Sequence, residues 1–481
     1  MEEKKTTRVV LMGAGIGGLA CAHTLAEHGL EVHVIERHDR VGGLARTNTF
    51  AEYSDVCWKA VSSGYHYLLQ ILSEVRDGDG CPLIARLRPL EHFIYAMEKA
   101  NYTEDVNSFI TKPDLFLTGF KKLYGQSVPV ADIIKLSWLL FKVRMCPESM
   151  FSNMVLEADN QRWADYVASM SPLVQRWVLD STAIYLGMDY QKISTGFIMQ
   201  LLRDASRSKL VDSRYVFYSF DGPLQDVFLE PWKQSLERRG VIFHLNTHVQ
   251  QLNIHDNRIT SIIVSNSDLI SVMDGDVFVN CMNCQELARL HSVPQYKELA
   301  LLGSQLQTQV LYELPHKTID VLKKPTILIM PDTPWFLMTR MEETLFVNDN
   351  VFLSAGIGIW DRPGHNGKTA MECDLQELAD ECWRQMTTCQ HNLRLPVATP
   401  KWNVWHGFSY SDDEKKIVSV DLKFSNNVGT LQLRPSNKDE YFFNLYHATA
   451  YTRTKMNIYN MESAAEAGVC TGKMILSVHS T

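Results

Sequence analysis

The sequence predicts an α/β protein, in which a parallel, nucleotide-binding sheet is interleaved with a second, α+β domain. The first observation is an apolar strand, Val9–Met12, that runs into the stretch GAGIGG (residues 13–18) and then into a helical pattern over residues 19–26. The second is another strand, Glu31–Ile35, that ends at Glu36, 18 positions after Gly18. Strand, glycine loop, helix and strand in this order are typical of the first unit of a Rossmann-type fold.

The stretch GAGIGG matches the dinucleotide fingerprint G-x-G-x-x-G in its required context. Gly13 would form the tight turn, Gly15 would let the backbone approach a pyrophosphate, and Gly18 would let the helix pack against the strand. The phosphates would then bind N–H groups at the helix N-terminus. Glu36 would accept hydrogen bonds from both ribose hydroxyls, which favours FAD or NAD over a 2′-phosphorylated cofactor. The alternative is a structural turn.

A second glycine pair, in the stretch GGLART (residues 42–47), distinguishes FAD from NAD. A nicotinamide site has no need of this pair, whereas an extended FAD has a second stretch of pyrophosphate and ribityl to cover. The pattern E-R-x-x-x-x-G-G-x-x-R-T resembles the superfamily of flavin-containing amine oxidases and phytoene desaturases. The resemblance implies a glutathione-reductase-like FAD domain, with Arg46 facing the diphosphate or the flavin. The alternative is an ordinary turn with a surface arginine.

Composition limits the class of protein. The chain has 481 residues, 45% hydrophobic and 21% charged, which is enough for two domains and a large core. A formal net charge of −8 gives no electrostatic reason to bind nucleic acid or an acidic membrane surface. We expect no signal peptide and no transmembrane span, and the ten scattered cysteines indicate reduced thiols in the cytoplasm. Cys281 and Cys284 form a C-x-x-C that we interpret as structural, and we predict no metal site.

The chain is predicted to alternate between two domains. The FAD-binding domain would comprise residues 1–50, 221–290 and 426–481, and the substrate domain residues 51–220 and 291–425. In the middle segment, the resemblance extends to a helix ending at Gly240, a G-V-x-F strand, and Val249 beside the adenine. Interrupted domains of this kind are expected where substrate and FAD share a buried interface.

The C-terminal segment from residue 424 carries the most specific resemblance. It is similar to the closing motif of the superfamily, in which a short strand passes the ribityl chain and the final helix points its N-terminus at the flavin ring. That helix would begin near Met461 and Glu462, and its dipole would favour negative charge on the reduced flavin. One position departs from the motif, because Ala450 replaces the usual acid and puts FAD affinity in doubt. Thr449 and backbone N–H groups would partly substitute.

Three further stretches resemble an uncharacterised bacterial and viral branch near the phytoene desaturases. They are AEYSDVCWKAVSSGYHYLLQIL (residues 51–72), PDTPWFLM (331–338) and AGIGIWDRPG (355–364). Each also has an ordinary interpretation, as an aromatic-rich helix start or as core strands with turns.

These patterns yield two sets of candidate site residues. The predicted cofactor-binding residues are Gly13, Ala14, Gly15, Ile16, Gly17, Gly18, Glu36, Arg37, Gly42, Gly43, Leu44, Arg46, Val249, Thr449, Met461 and Glu462. The predicted pocket residues are Tyr451, Tyr459, Asn460 and Trp335. Trp335 has a core role as its alternative. No catalytic residue is assigned, because flavin is itself the hydride acceptor and the sequence shows no persuasive Ser/His/Asp set.

Three functions are compatible with the sequence. The first is an FAD-dependent oxidoreductase that desaturates or dehydrogenates a hydrophobic, isoprenoid-like substrate by hydride transfer to flavin N5. The second is an FAD-dependent amine or amino-acid oxidase that releases hydrogen peroxide. It is weakened by Asn460, which occupies the place of the tyrosine that these oxidases use to cage an amine. The third is a flavin-binding protein without turnover, which the missing acid at Ala450 favours.

The segment Val130–Met145 raises the question of membrane contact. It is apolar on nearly all sides, contains Trp138 and carries Lys135, Lys142 and Arg144. It is too short to span a bilayer, but its composition is typical of a helix in the membrane interface. The alternative is a buried helix of the substrate domain. The first interpretation would make the protein peripheral on a membrane.

Overall fold

The structure is a computed structural model of the whole chain. It describes residues 7–26, 28–48, 54–55, 59–90, 92–96, 101–105, 120–121, 125–186, 189–207, 217–265, 269–271, 275–305, 309–315, 326–341, 346–347, 350–389, 395–404, 408–419 and 422–479.

A five-stranded parallel sheet forms the centre of the nucleotide-binding part. In spatial order its strands are Ile242–His244, Glu31–Ile35, Arg8–Met12, Val277–Asn280 and Leu445–His447. Because all the strands are parallel, their carboxyl ends meet at one edge, where nucleotides bind in open α/β sheets. The α/β class is confirmed. Strands come from all three segments that the sequence assigned to this domain, and the domain boundaries themselves stay a prediction.

The first and final helices of the described chain pack against each other beside this sheet. They span Ile16–Leu25 and Met461–His479. A Cβ on Gly468 would lie 2.4 Å from the carbonyl oxygen of Gly17, and a Cβ on Gly472 would lie 2.7 Å from the Cβ of Thr24. Such short distances mean that glycine lets the two helix backbones come close together. The N-terminal segment therefore depends on the C-terminal one for its packing.

A second, mixed sheet forms the centre of the remaining part of the chain. In spatial order its strands are Lys401–Val404, Gln309–Pro315, Asn350–Ile357, Leu337–Met341, Thr326–Met330, His92–Ala96 and Asn101–Asp105, with Phe346–Val347 beside Asn350–Ile357. Helix Leu375–Thr388 packs on this sheet and begins with a capping box between Asp374 and Glu377. Its Trp383 and Met386 are buried in the same core as Tyr312.

A group of helices lies between residues 130 and 207. Their bounds are Val130–Met145, Glu148–Ala158, Trp163–Val167, Pro172–Leu186 and Thr195–Arg207. Their common core contains Leu139, Val143, Phe151 and Trp163. The sequence predicts the bounds of the first of these helices correctly.

The other described elements form smaller two- and three-stranded sheets and the connections between the two large ones. The further helices are Tyr67–Glu74, Glu230–Arg238, Cys284–Leu290, Pro294–Gly303 and Thr430–Leu433, with shorter helical turns at Gly43–Ala45, Leu83–Arg86 and Gln225–Leu229. The further strands are Thr47–Asn48, Ser54–Asp55, Val61–Ser62, Leu87–Pro89, Phe217–Phe220, Val249–His255, Arg258–Val264, Leu269–Ser271, Ser304–Gln305, Phe408–Ser411, Lys416–Ser419 and Lys423–Phe424.

A buried polar network fixes the last strand of the parallel sheet. The Nε2 of His447 lies 2.5 Å from a carboxylate oxygen of Asp439, which also accepts a hydrogen bond from the hydroxyl of Tyr296. The amide nitrogen of Asn280 lies 3.1 Å from the Nδ1 of His447. Because that amide donates, Nδ1 accepts and Nε2 donates to Asp439. Burial alone would raise the pKa of Asp439, but the interactions with His447 and the hydrogen bonds from Tyr296 and Tyr441 together outweigh it, and the net pKa is lowered.

Candidate functional site

The first glycine loop is shaped by contacts within the protein at three positions. Gly13 has a φ of +116°, which favours glycine, and a Cβ there would lie 2.8 Å from the carbonyl oxygen of Cys281. A Cβ on Gly17 would lie 2.0 Å from the carbonyl oxygen of Ala448, and one on Gly18 would lie 2.2 Å from that of Gly13. Backbone packing therefore requires glycine at each of these three positions.

Gly15 differs, because the protein leaves space around it. A Cβ at this position would have one heavy-atom neighbour within 4 Å, the Cα of Gly43 at 4.0 Å. The second glycine pair lies alongside, since the Gly42 N–H donates to the carbonyl of Ala14 at 2.7 Å. Gly43 has a φ of +57°. The two glycine backbones thus lie side by side, since a Cβ on Gly43 would lie 3.2 Å from the Cα of Gly15, and they form a cradle that is open at Gly15. The cradle lies at the N-terminus of the first helix, where N–H groups favour phosphate.

Glu36 lies beside this cradle at the end of its strand. Its carboxylate accepts hydrogen bonds from the N–H groups of Ala14, at 2.8 Å, and His38, at 3.0 Å. Burial raises the pKa of Glu36, against the lowering effects of these two bonds and of Arg46 and Arg37. The backbone bonds orient the carboxylate, and its remaining lone pairs suit the hydroxyls of a ribose.

The side chains next to the glycine loops are mostly buried. Cys281 follows strand Val277–Asn280 and is half-buried, and burial raises its pKa well above the usual range. Arg46 is 4% exposed and donates to the carbonyl of Gly43 at 3.2 Å, so the interpretation as a surface arginine is wrong. Val249 is buried, and its carbonyl accepts from Arg289 at 2.7 Å.

The remaining predicted residues of the glycine loops lie in the same region. Ala14 and Ile16 are buried, Leu44 is half-buried in the turn Gly43–Ala45, and Arg37 pairs with Glu286 at 3.4 Å. An open cradle and an oriented carboxylate at one sheet edge fit the adenosine diphosphate half of a dinucleotide. The structure thus brings the two N-terminal glycine stretches and Glu36 together, as the sequence predicts, while their roles in binding stay a prediction.

The segment after the last sheet strand runs past the start of the first helix. Ala448 contacts Gly17 there, and the hydroxyl of Thr449 lies 2.9 Å from that of Thr452. Thr452 also accepts from the backbone N–H of Thr449 at 3.1 Å. Ala450 is half-buried at the place of the superfamily acid. Threonine hydroxyls hold this turn, so its shape does not depend on a carboxylate.

The start of the final helix is organised by Asn460 and Glu462. The side-chain oxygen of Asn460 accepts from the N–H of Ser463 at 2.8 Å, which makes Asn460 the N-cap. The carboxylate of Glu462 accepts from the N–H groups of His66, Tyr67 and Leu68 at 2.7 to 2.9 Å. Glu462 therefore caps a second helix, Tyr67–Glu74, a structural role that the sequence did not indicate. Met461, the first residue of the final helix, is half-buried.

Two of the predicted pocket residues lie in cores. Trp335 is 0% exposed, and its indole N–H donates to the carbonyl of Arg362 at 2.9 Å within the core of the second sheet. Tyr451 is 2% exposed, and its hydroxyl donates to the carbonyl of Met282 at 3.0 Å. Both side chains satisfy their polar atoms and bury their rings internally, so we assign them to the cores instead of a pocket wall. Tyr459 and Asn460 remain half-buried beside the final helix.

Two residues near this region were missed by sequence reasoning. Tyr65 is half-buried, its hydroxyl interacts with Asn460, and burial raises its pKa together with the charge of Glu462. Tyr65 lies in the stretch of residues 51–72, whose resemblance to the desaturase-like branch could have indicated it as a site residue. Arg434 is fully buried, and its guanidinium nitrogens have no hydrogen-bond partner among the described residues. Burial lowers the pKa of Arg434 to about 9. No pattern in the neighbouring sequence indicated that this arginine is buried.

A separate cavity lies between helix Pro172–Leu186 and the turn after strand Thr326–Met330. Its volume is about 340 Å³. Its lining residues are Pro172, Gln175, Arg176, Leu179, Tyr190, Pro331, Asp332, Thr333, Pro334 and Arg362. Arg176 pairs with Asp332 at 3.0 Å, and Arg362 donates to the hydroxyl of Tyr190 at 2.6 Å. The predicted pocket residues do not line this cavity.

The described residues were also compared with the requirements of a metal site and of a reactive thiol. Among those residues, no group of three or more His, Cys, Asp or Glu side chains is placed to hold a metal ion. Cys281 and Cys284 are both free thiols. Burial raises the pKa of Cys284 to about 12, so its thiolate is not favoured at neutral pH.

Comparison with known proteins finds similarity in the nucleotide-binding segment. Residues 12–75 match the family model described as an NAD(P)-binding Rossmann-like domain. Over 83 residues the chain is 42% identical to a possible lysine-specific histone demethylase 1 of Drosophila melanogaster, and over 69 residues 41% identical to flavin-containing amine oxidase A of Canis lupus familiaris. These matches cover 17% and 14% of this chain, and 9% and 13% of those two proteins.

The likeness to solved structures extends over the whole chain. A putrescine oxidase variant has a TM-score of 0.66 at 15% identity, over 98% of this chain and 100% of that one. Cyclohexylamine oxidase from Brevibacterium oxydans has a TM-score of 0.65 at 15% identity, over 99% and 100%. The nucleotide-binding segment is thus similar to segments of flavin-containing amine oxidases, and the fold of the chain is the fold of these solved oxidases. Among the helices that the structure describes, none has the length and hydropathy that a bilayer crossing needs.

Proposed function

We propose that the protein is an FAD-dependent oxidoreductase. The observation that carries the proposal is the open space at Gly15, beside the second glycine pair and the oriented carboxylate of Glu36. Protein packing does not require glycine at this position, whereas close approach of a pyrophosphate does. When bound, FAD supplies the hydride-accepting chemistry that the reaction needs.

The side chains of this protein bind and orient. Glu36 would accept the ribose hydroxyls of the adenosine, and N–H groups of the first glycine loop would bind the diphosphate. The N-terminus of the final helix, which Asn460 caps, presents a partial positive charge that favours an anionic ring. Tyr65 interacts with Asn460 and would fix the side chain that begins this helix. These tasks are positioning tasks and leave the redox chemistry to the cofactor.

For the substrate, we propose a small, hydrophobic molecule that is desaturated or dehydrogenated. The resemblance of the C-terminal segment to phytoene desaturases supports this class. Asn460 supports it too, because an asparagine that caps a helix does not form one wall of an aromatic cage for an amine. A hydrophobic substrate is also consistent with peripheral contact between this protein and a membrane.

A second candidate is an amine or amino-acid oxidase, and the comparisons favour it. The solved structures named above are of a putrescine oxidase and a cyclohexylamine oxidase, and a stretch of 49 residues is 45% identical to a flavin-dependent L-tryptophan oxidase of Lentzea aerocolonigenes. That stretch covers 10% of each chain. A flavin-binding protein without turnover is the third candidate, favoured by Ala450.

Purified protein tests the proposal directly. We expect a flavin absorbance spectrum and release of FAD, identified by mass, on denaturation. A protein that is colourless and takes up no FAD on reconstitution would contradict the proposal. Peroxide release with a panel of amines and amino acids would favour the second candidate over desaturation. A flavin that no hydrophobic or amine substrate reduces under anaerobic conditions would favour the third.

A further inference from the structure

Helix Val130–Met145 exposes a continuous row of apolar side chains, which we call the apolar stripe. It consists of Val130, Ile134, Trp138, Phe141 and Met145, each between 54% and 72% exposed. Their spacing of four, four, three and four positions places them on one face of an α-helix. The rings of Trp138 and Phe141 stack with centroids 5.7 Å apart. The interpretation of this segment as a buried helix is therefore wrong for this face.

The opposite face of the helix attaches it to the protein. Leu139 and Val143 are buried in the core of the helical group, and Asp132 is 3% exposed, with its carboxylate accepting from the N–H of Ser171 at 3.1 Å. At 100° per residue these three lie opposite the apolar stripe. The stripe thus points away from the protein, although a helix packed in a globular core would point its apolar face inward.

Basic side chains flank the stripe on both sides. At 100° per residue, Lys135 and Lys142 lie along one edge and Arg144 along the other, and the Lys135 ammonium also donates to the carbonyl of Ser169 at 2.5 Å. Asp132 is the acidic residue of this helix, and it lies on the buried face. The solvent-facing charges of the helix are therefore positive, in a chain whose formal net charge is −8. Met150, at the start of the next helix, extends the exposed apolar surface and is 62% exposed.

We propose that the apolar stripe docks on a membrane surface that contains anionic lipids. A helix that lies in the interface buries its apolar face at the acyl boundary and keeps lysine and arginine at the headgroups, which is the arrangement seen here. A second copy of the chain suits the surface less well, because two-fold pairing would bring the basic edges of both copies together. The docking deepens the proposed function and rests on it for its purpose, since a membrane is the source of a hydrophobic substrate.

Co-sedimentation with vesicles tests the docking. We expect the full-length protein to sediment with phosphatidylcholine vesicles that contain phosphatidylserine. Trp138→Ser with Phe141→Ser should lower the partition coefficient about tenfold, because two rings leave the interface. The matched control is Leu301→Ser with Phe443→Ser, which removes two apolar side chains that are 80% and 67% exposed elsewhere on the surface. We expect the control to bind like wild type. Leu139 is left unchanged because it is buried.

A charge variant identifies the lipid chemistry. Lys142→Gln should lower binding to the anionic vesicles about fivefold and leave binding to pure phosphatidylcholine unchanged. Equal recovery of wild type and the double variant in the supernatant, with and without vesicles, would overturn the proposal. Concentration-dependent dimerisation that Trp138→Ser with Phe141→Ser abolishes, without vesicle binding, would overturn it in favour of a second copy. The FAD content of the same preparations, measured in parallel, tests the proposed function independently.

Discussion

At the scale of single residues, Gly15 is a glycine for a different reason from its neighbours. Backbone atoms crowd Gly13, Gly17 and Gly18, whereas a side chain on Gly15 would meet little of the protein. The fold has room for a side chain at position 15, whereas a bound pyrophosphate would leave none. A substitution there therefore tests cofactor binding separately from folding.

We expect Gly15→Val to keep the fold and lose FAD. The valine side chain would occupy the space into which the pyrophosphate must come. Gly78→Val is the matched control, because a Cβ on Gly78 has no neighbour within 4 Å and its φ does not require glycine. The measurement is the ratio of flavin to protein absorbance after gel filtration, with circular dichroism for the fold. Full flavin content in the Gly15 variant would place the diphosphate elsewhere.

The site residues divide by how local their signals are. The glycine loops and Glu36 lie in one short stretch with strict spacing, so the sequence alone predicts that they lie close together in the fold. The capping by Glu462 could not be predicted, because its partner His66 is 396 positions away. The sequence could not predict that Trp335 lies in a core either, because an aromatic residue after a proline is found both in cores and in pocket walls.

At the scale of elements, Glu462 links the final helix to helix Tyr67–Glu74. Three N–H groups at the start of that helix donate to one carboxylate, and those groups have no partner within their own helix. Glu462 is 3% exposed, so its carboxylate shields these N–H groups from solvent. The capping contact therefore acts between two elements at once.

We expect Glu462→Ala to lower the free energy of unfolding by about 2 kcal/mol, the upper range for loss of a helix cap. Glu298→Ala, on an exposed face of helix Pro294–Gly303, should leave it unchanged within about 0.5 kcal/mol. Urea denaturation followed by circular dichroism measures both. Equal midpoints for the two variants would show that the capping bonds contribute nothing to stability.

The sequence predicts the bounds of helices and strands well where the spacing of apolar residues and the residues typical of helix and strand ends agree. The strand Glu31–Ile35 and the start of the final helix at Met461 are where the sequence puts them. The orientation of helix Val130–Met145 was beyond sequence reasoning, because apolar residues nearly surround it and do not reveal which side is buried. Tertiary packing decides that question, through Leu139 and Val143.

At the scale of the whole molecule, stability must depend on pH through groups that are buried neutral. His291 is 2% exposed, and neither ring nitrogen has a hydrogen-bond partner among the described residues. Burial lowers its pKa from 6.5 to about 4, with a further lowering by His447 and an opposing effect of Asp439. Between these two values the unfolded chain binds a proton that the folded chain does not.

We therefore expect stability to fall as the pH falls from 6.5 to 4, by up to about 3 kcal/mol from this group. His291→Leu should flatten the pH dependence in that window, whatever its effect on stability at neutral pH. His255→Leu is the control, because His255 has an exposed side chain at a turn and should leave the slope unchanged. Urea midpoints across the window measure the slopes. Parallel curves for wild type and His291→Leu would refute the buried neutral state.

The close approach of Gly468 to Gly17 has a consequence for how the protein is made. The glycine loop is synthesised long before strand Leu445–His447, which pairs with Val277–Asn280, and helix Met461–His479, which packs on the loop. The nascent N-terminal segment therefore has an incomplete sheet and an uncovered helix until these later segments have been synthesised. We expect a nucleotide cofactor to be loaded only after that point.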